Sequence, residues 1–260
     1  MILVTKPTTV PITLRRTGQA ADNRNRQDYD ADPQAYISNT KEFTIKPSIY
    51  NYSTIKKTLK TAQHSKCCFC EKEQKDEYGA VEHYRPKAGF QLLDKSEDLR
   101  KPGYYWLGYA WRNLYFVCGP CNTIKGNLFP LADEATRARS HHDDEAQEDP
   151  YLLDPVGPKD PRDHIVFDSE FVRGVSKYGR RTISICGLDR DGLNEKRKKL
   201  ISDIDFYVVV LATKADNSAA VVQRALAFLT ECRNPRAEFS AAAADYLALF
   251  PRAILDQISS

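Results

Sequence analysis

The 260-residue chain has no apolar run approaching the ~18 residues that a membrane-spanning helix needs. Its opening residues, MILVTKPTTVPITLRRTG, lack the continuous apolar core of a secretory signal. The expected compartment is therefore the cytoplasm, where disulfides are rare. No G-x-x-x-x-G-K-[ST] phosphate loop occurs, so any ATP must be held by another subunit. Repeats, coiled-coil heptads and dedicated base-reading modules are absent as well. Net charge is nearly absent: 38 Lys and Arg against 35 Asp and Glu leave +3, too little to define a nucleic-acid binder. What remains is an ordinary globular composition, 42% hydrophobic and 28% charged. Its length suits one large domain or two modest ones.

Cysteine is what the chain does have: seven, an awkward number for a disulfide framework. Four form two pairs with metal-ligand spacing, Cys67-Cys68-Phe69-Cys70 and Cys118-Gly119-Pro120-Cys121. Two residues inside each pair let both thiolates turn inward from a tight knuckle. Together the pairs offer four ligands to one tetrahedral Zn²⁺. The interval between them, residues 71–117, is longer than in a compact zinc ribbon, so other structure must be inserted. Cys68 is expected to point away from the metal, and Cys186 and Cys232 to be buried or half-buried thiols. A closed four-cysteine site has no open coordination position, so its zinc stabilises and does not catalyse. The chemistry is expected elsewhere.

The insert holds Ala80-Val81-Glu82-His83-Tyr84-Arg85-Pro86-Lys87 and an aromatic stretch ending Trp111-Arg112-Asn113-Leu114-Tyr115-Phe116-Val117. The second pair runs straight into Asn122-Thr123-Ile124-Lys125-Gly126-Asn127. The pattern predicts a short strand through Val81–His83, stopped by Pro86, then a loop over 87–105. Leu114–Val117 reads as a strand or apolar turn, followed by a short helix from about Cys121 with Gly126 as its end signal.

CxxC, then E-H-x-x-P-K, W-x-N-L and C-x-x-C-N-x-x-K-G, over about residues 64–131, resembles the HNH endonuclease, or ββα-metal, family with an embedded zinc. A looser resemblance reaches about residue 200, through Phe129-Pro130-Leu131, Pro150-Tyr151-Leu152-Leu153-Asp154-Pro155, Arg181-Thr182-Ile183 and Gly187-Leu188-Asp189-Arg190. It points to the HNH proteins of bacterial anti-phage systems, of the Septu (PtuB-like) and retron-associated types. The resemblance implies an α+β fold: a ββα-metal nuclease core with an embedded four-cysteine zinc site, then a mainly helical C-terminal region. It also implies a metal-dependent endonuclease acting on DNA or RNA, working with an ATPase subunit.

By position in the motif, His83 would be the general base. An imidazole with an ordinary pKa of ~6.5 is mostly neutral near pH 7, as a base must be. Asn113 matches the middle Asn that steadies the hairpin and orients the histidine. Glu82 and Asn122 would ligate a catalytic Mg²⁺ or Mn²⁺. Asn122 departs from the family, which carries a His there; an amide oxygen is a neutral, hard, weaker donor that suits Mg²⁺ or Mn²⁺. Arg85, Lys87 and Lys125 are the expected nucleic-acid contacts.

Charge is unevenly spread. Residues 1–66 carry 11 Lys or Arg against 5 Asp or Glu, residues 139–170 carry 3 against 10, and residues 171–200 carry 9 against 3. The two basic stretches flank the nuclease motif and would suit a sequence-independent phosphate grip. The expected organisation is a basic N-terminal segment (1–60), the nuclease core with its zinc knuckles (61–135), an acidic linker or loop (136–162) and a C-terminal region (163–260). His141 and His142 read as linker residues and His64 as a surface residue. The C-terminal region is expected to open with short strands at Ile165-Val166-Phe167 and Thr182-Ile183-Ser184-Ile185. Helices follow from Asp191 as a cap through Tyr207, over Ala219–Cys232, and through the Ala-rich stretch to Leu249. Some of their apolar positions, among them Phe206 and Val209, would form a private core or dock a partner.

A different class of function fits the same residues: a non-catalytic zinc module that binds nucleic acid or a protein. The Asn at position 122 makes it credible. A zinc-dependent deaminase fails on arrangement, because it needs His-x-Glu and a single Pro-Cys-x-x-Cys.

Overall fold

The structure is a computed structural model that describes residues 1–75, 79–92, 94–213 and 217–259. Leu93, within the expected loop 87–105, lies outside the described residues. The protein is α+β, with small two-stranded sheets among many helices. No helix among the described residues is long and apolar enough to cross a membrane.

The centre is a hairpin of β1 (Ala80–His83) and β2 (Leu114–Val117), antiparallel with Val81 opposite Phe116 and His83 opposite Leu114. All four residues of β2 are buried. Alternation along the strands explains why both faces are covered. Val81, Leu114 and Phe116 join a core with Leu14, Ile49, Ile55 and Leu59. A π-helical turn (Leu14–Gly18) precedes the N-terminal helices α1 (Gln19–Ala31), α2 (Pro33–Ile37), α3 (Pro47–Tyr50) and α4 (Ser53–Ala62); Leu14 comes from that turn, Ile49 from α3, and Ile55 and Leu59 from α4. Tyr115 and Val117 face the other way, into a larger core with the cysteines. Gln63 pairs with both backbone groups of Phe116, donating to its carbonyl at 2.6 Å and accepting from its amide at 2.9 Å, and the carbonyl also accepts from the Cys68 amide at 3.2 Å.

After β2 the chain turns into α5 (Gly119–Lys125), which starts two residues earlier than expected and ends at Gly126, where φ is +48°. A second hairpin, β3 (Ile165–Asp168) with β4 (Phe171–Gly174), leads into α6 (Lys177–Cys186). This corrects the reading of Thr182–Ile185 as a strand. Ser176 caps the helix by accepting from the Gly179 amide, and Gly187 ends it in the left-handed region at φ +58°. Between these caps Gly179, Thr182, Ile183 and Cys186 fall on one buried stripe with helical spacing.

The C-terminal helices are α7 (Asp191–Ala212), α8 (Ala219–Arg233), α9 (Ser240–Leu247) and α10 (Arg252–Ser259). Arg190, not Asp191, is the cap of α7; Asp191 lies inside its first turn, where an acid favours the helix dipole. The fourth helix lies beyond Pro251 and was not expected. Ile204, Val208, Leu211, Leu229 and Leu247 form a core of their own. Phe206 and Val209, one turn apart on α7, stay 62% and 59% exposed.

The segments flanking the central hairpin are not loosely attached. Lys6 reaches the Trp111 carbonyl and the Leu114 carbonyl, the latter at 2.8 Å, under the Trp111 and Tyr115 rings. The acidic stretch 136–162 has exposed acids at its tip, yet Glu148, Leu152 and Leu153 are buried. Tyr84 donates to the Leu152 carbonyl, and Thr182 accepts from the Leu153 amide at 2.9 Å. Apolar side chains on either side of the acids pull this stretch onto the core.

Candidate metal centre and active site

Cys67, Cys70, Cys118 and Cys121 come together as the spacing predicts, all buried, with their sulfurs within 4.8 Å of one another. The first knuckle closes with the Glu71 amide donating to the Cys67 carbonyl at 3.0 Å and Glu71 at φ +61°. The second is the first turn of α5, with Pro120 at a position whose missing N–H costs nothing. Cys70 Sγ and Cys118 Sγ lie 3.7 Å apart. A disulfide would need about 2.05 Å. Two ligands on a tetrahedral zinc with ~2.3 Å bonds would lie about 3.8 Å apart. The four thiols therefore fit a metal ion such as zinc. Cys68, Cys186 and Cys232 are buried outside this group and free.

Arg190, just before α7, was not expected here. It donates to Cys121 Sγ at 3.4 Å and Cys118 Sγ at 3.7 Å. Hydrogen bonds from the Cys121, Cys67 and Cys70 thiols hold Cys118 well below its ordinary pKa, so one sulfur already favours the thiolate that a metal takes.

The expected catalytic residues gather at the other end of the same hairpin. His83 ends β1, is 3% exposed, and places Nε2 2.9 Å from the Gly108 carbonyl. A carbonyl only accepts, so Nε2 carries the proton and Nδ1 of the neutral ring keeps its lone pair. Burial, reinforced by the charge of Lys87, pushes the pKa of His83 down to about 3. The ring is neutral throughout the physiological range. Tyr50, from α3, packs edge-on against it with centroids 4.6 Å apart.

Asn113 is buried and ties the hairpin ends together. Its amide oxygen accepts from the Arg85 amide at 2.8 Å; its Nδ2 donates to the Arg85 carbonyl at 3.0 Å and the Leu107 carbonyl at 3.2 Å. The Leu107 contact leads to Gly108, the partner of His83. Asn122 lies on α5, half-buried, one turn before Lys125 and on the same helix face.

The expected cationic contacts lie differently from a free phosphate grip. Lys125 is fully buried and donates to Glu82 Oε1 at 2.7 Å, the His83 carbonyl at 3.0 Å and the Gly126 carbonyl at 3.4 Å. It holds the Glu82–His83 corner from inside. Arg85 is bound to Glu148 Oε2 at 2.8 Å and to the Glu145 carbonyl at 3.1 Å. Lys87 stands apart: half-buried, with Nζ 5.0 Å from the Tyr50 ring centre, its pKa lowered by burial while Glu82 opposes the fall. Part of the basic stretch 171–200 also points inward, since Arg197 is buried and donates to the Leu188 carbonyl at 2.9 Å.

Tyr50, Gly108, Gln63 and Arg190 are the site neighbours that sequence reasoning missed. Each arrives from a distant segment and carries no local spacing signal.

A mixed α+β protein with a buried four-cysteine cluster beside a histidine-ended hairpin is the class that fold and site define. No protein-family model matches the chain. It is similar to the Septu protein PtuB of Bacillus mycoides (strain KBAB4), 35% identical over 176 residues. That alignment covers 65% of this chain and 58% of that protein, so well under two thirds of the relative's length is matched.

Proposed function

We propose that the protein is a metal-dependent HNH endonuclease hydrolysing phosphodiester bonds of DNA or RNA, and an effector of an anti-phage defence complex of the Septu kind. The observation that carries the reading is His83: buried, neutral, with one nitrogen committed to Gly108 and the other left as an acceptor for a water proton. The β1, β2, α5 order around it corresponds to a ββα-metal core. In this reading Nδ1 of His83 takes the proton from the attacking water, and Asn113 fixes the backbone that aims the ring. Glu82 and Asn122 would hold Mg²⁺ or Mn²⁺, whose chemistry is to neutralise charge on the phosphate and the leaving oxygen. Lys87 offers a positive charge at the same corner, while Lys125 and Arg85 position the site without touching substrate. The four cysteines would hold a structural zinc. An ATPase subunit would restrain or trigger the cut, with the exposed apolar Phe206 and Val209 on α7 available to a partner.

The test is cleavage of DNA and RNA with Mg²⁺ or Mn²⁺ by wild type and His83→Ala, alone and with the proposed ATPase subunit. Removing a general base lowers the rate by about 10²–10⁴-fold. Equal cleavage by the two proteins sinks the assignment.

One contact favours a second reading, a non-catalytic zinc module that binds nucleic acid or protein. The Glu82 carboxylate already has the buried Lys125 ammonium as its partner, which competes with a metal ion. That reading expects His83→Ala to leave defence intact while Cys118→Ser abolishes it.

A further inference from the structure

Away from the hairpin, a second group of side chains converges without being used by anything above. Asp30, at the C-terminal end of α1, meets His141 and His142 on the turn after Ser140, and their ligand atoms lie within 4.8 Å of one another. The geometry points to a transition-metal site of two imidazoles and one carboxylate, which takes a divalent ion of the Zn²⁺, Co²⁺ or Ni²⁺ class and staples α1 to that turn.

Both histidines present the same nitrogen to the same carboxylate: His142 Nε2 is 2.7 Å from Asp30 Oδ1, and His141 Nε2 is 3.4 Å from Asp30 Oδ2. Two neighbouring residues on a turn ordinarily point apart. Here their rings lie 4.0 Å apart and aim together. The other nitrogen of His141 is fixed from behind, with Nδ1 2.6 Å from the Tyr105 hydroxyl. An outer partner of this kind sets the tautomer and direction of a metal-ligating imidazole. Tyr105 is itself held by stacking on Tyr29 and Phe43, so the anchor is rigid.

Exposure completes the pattern. The His141 side chain is 9% exposed, whereas His142 and Asp30 are 63% and 48% exposed. One ligand is pre-set and two can adjust, on a side open to solvent for a water as fourth ligand. With metal–N and metal–O bonds of about 2.1 Å, tetrahedral ligands stand about 3.4 Å apart. The spacing of His141 Nε2 from Asp30 Oδ2 already has that value, while His142 faces the other oxygen of the carboxylate and must shift to share the ion, a movement open to exposed side chains. Two imidazoles favour a borderline transition ion over Mg²⁺, which sets this site apart from the hard-cation site proposed beside His83. The nearby Asp143 carboxylate is not a further ligand; it accepts from Arg139, Ser140 and the Ser140 hydroxyl.

The experiment is a Co²⁺ titration of the untagged chain carrying a single equivalent of zinc, held by the four cysteines, and is followed by calorimetry and visible absorption. The expected result is one added equivalent with ligand-field bands and no thiolate charge-transfer band. Asp30→Ala and His142→Ala should each weaken it tenfold or more, and Tyr105→Phe by about tenfold. Glu82→Gln, which removes the proposed hairpin ligand, should leave it unchanged, whether or not the protein is a nuclease. No added equivalent, or one that survives both Asp30→Ala and His142→Ala, overturns the site. Loss in Glu82→Gln in place of these variants overturns it too, assigning the ion to the hairpin.

Discussion

The cysteine cluster and the His83 corner share one hairpin and one short helix, yet they are built in opposite ways. The cluster draws identical side chains from two tight local turns, closed on all sides. The corner draws unlike groups from five segments: Tyr50 from α3, Gly108 from a loop, Asn113 from the turn just before β2, Lys87 after β1 and Lys125 from α5. Like charges crowded together need an external cation, whereas the corner balances its own charge through Glu82 and Lys125. With a structural zinc as proposed, the cluster is the part of the molecule whose integrity depends on something bound, and the corner the part whose integrity depends on the rest of the fold.

That contrast is broken most severely by taking the metal away. Four buried thiols crowded around one point have no favourable apo arrangement in which all become thiolate. Structural zinc of this type contributes about 10 kcal/mol or more to folding. Chelation, or Cys118→Ser, is expected to abolish the cooperative thermal transition seen by circular dichroism. Cys68→Ser, one knuckle position away, should keep that transition at a modestly lower temperature. A sharp transition in metal-free protein would mean that the cluster is an ordinary piece of core.

The corner responds to acid instead. His83 has a pKa of about 3 when folded against ~6.5 when unfolded, because burial, with Lys87 adding to it, disfavours the imidazolium. Between these values the unfolded chain binds the proton and the folded chain does not. Stability is thus full above pH ~6.5 and falls as pH drops toward 3, by about 5 kcal/mol over the whole window. Denaturant midpoints of wild type and His83→Gln should diverge at pH 7 and converge toward pH 4. Parallel curves would place the imidazole in water. The same depressed pKa moves the acid limb of any cleavage profile well below pH 6.

How much of this was legible follows from the same contrast. The cysteine quartet, β1, β2 and α8 rest on spacing and alternation within a few residues, and they appear where expected. Thr182–Ile185 failed because Ile183 and Ile185 alternating with Thr182 and Ser184 read as a strand over so short a window; the Ser176 and Gly187 caps decided it from outside that window. Lys125 was legible as a cation beside a motif, but its burial depends on Glu82, 43 residues away in the chain. His141 and His142 read as linker residues because Asp30, 112 residues from His142, is invisible to any local pattern. Tertiary partners carried the misses around the sites, and local caps the one in α6.

Arg190 offers the finest test of the comparison, since its side chain comes from a distant segment to the cluster's sulfurs. Its guanidinium reaches Cys118 and Cys121 and also donates to the Gly187 carbonyl at 2.7 Å, tying the second knuckle to the end of α6. Burial alone would lower its pKa, but the Cys121 and Cys70 sulfurs more than offset this, so the charge stays. A cation donating to two thiolates draws off part of their negative charge and shields the metal from displacement. Removing such an outer contact costs about tenfold in metal affinity, roughly 1.4 kcal/mol. Arg190→Met, which keeps the stem and loses the donors, should fold normally with metal bound yet release it about tenfold more readily to a competing chelator. Unchanged competition would confine Arg190 to fastening α6 and leave the cluster wholly local, as its spacing alone suggests.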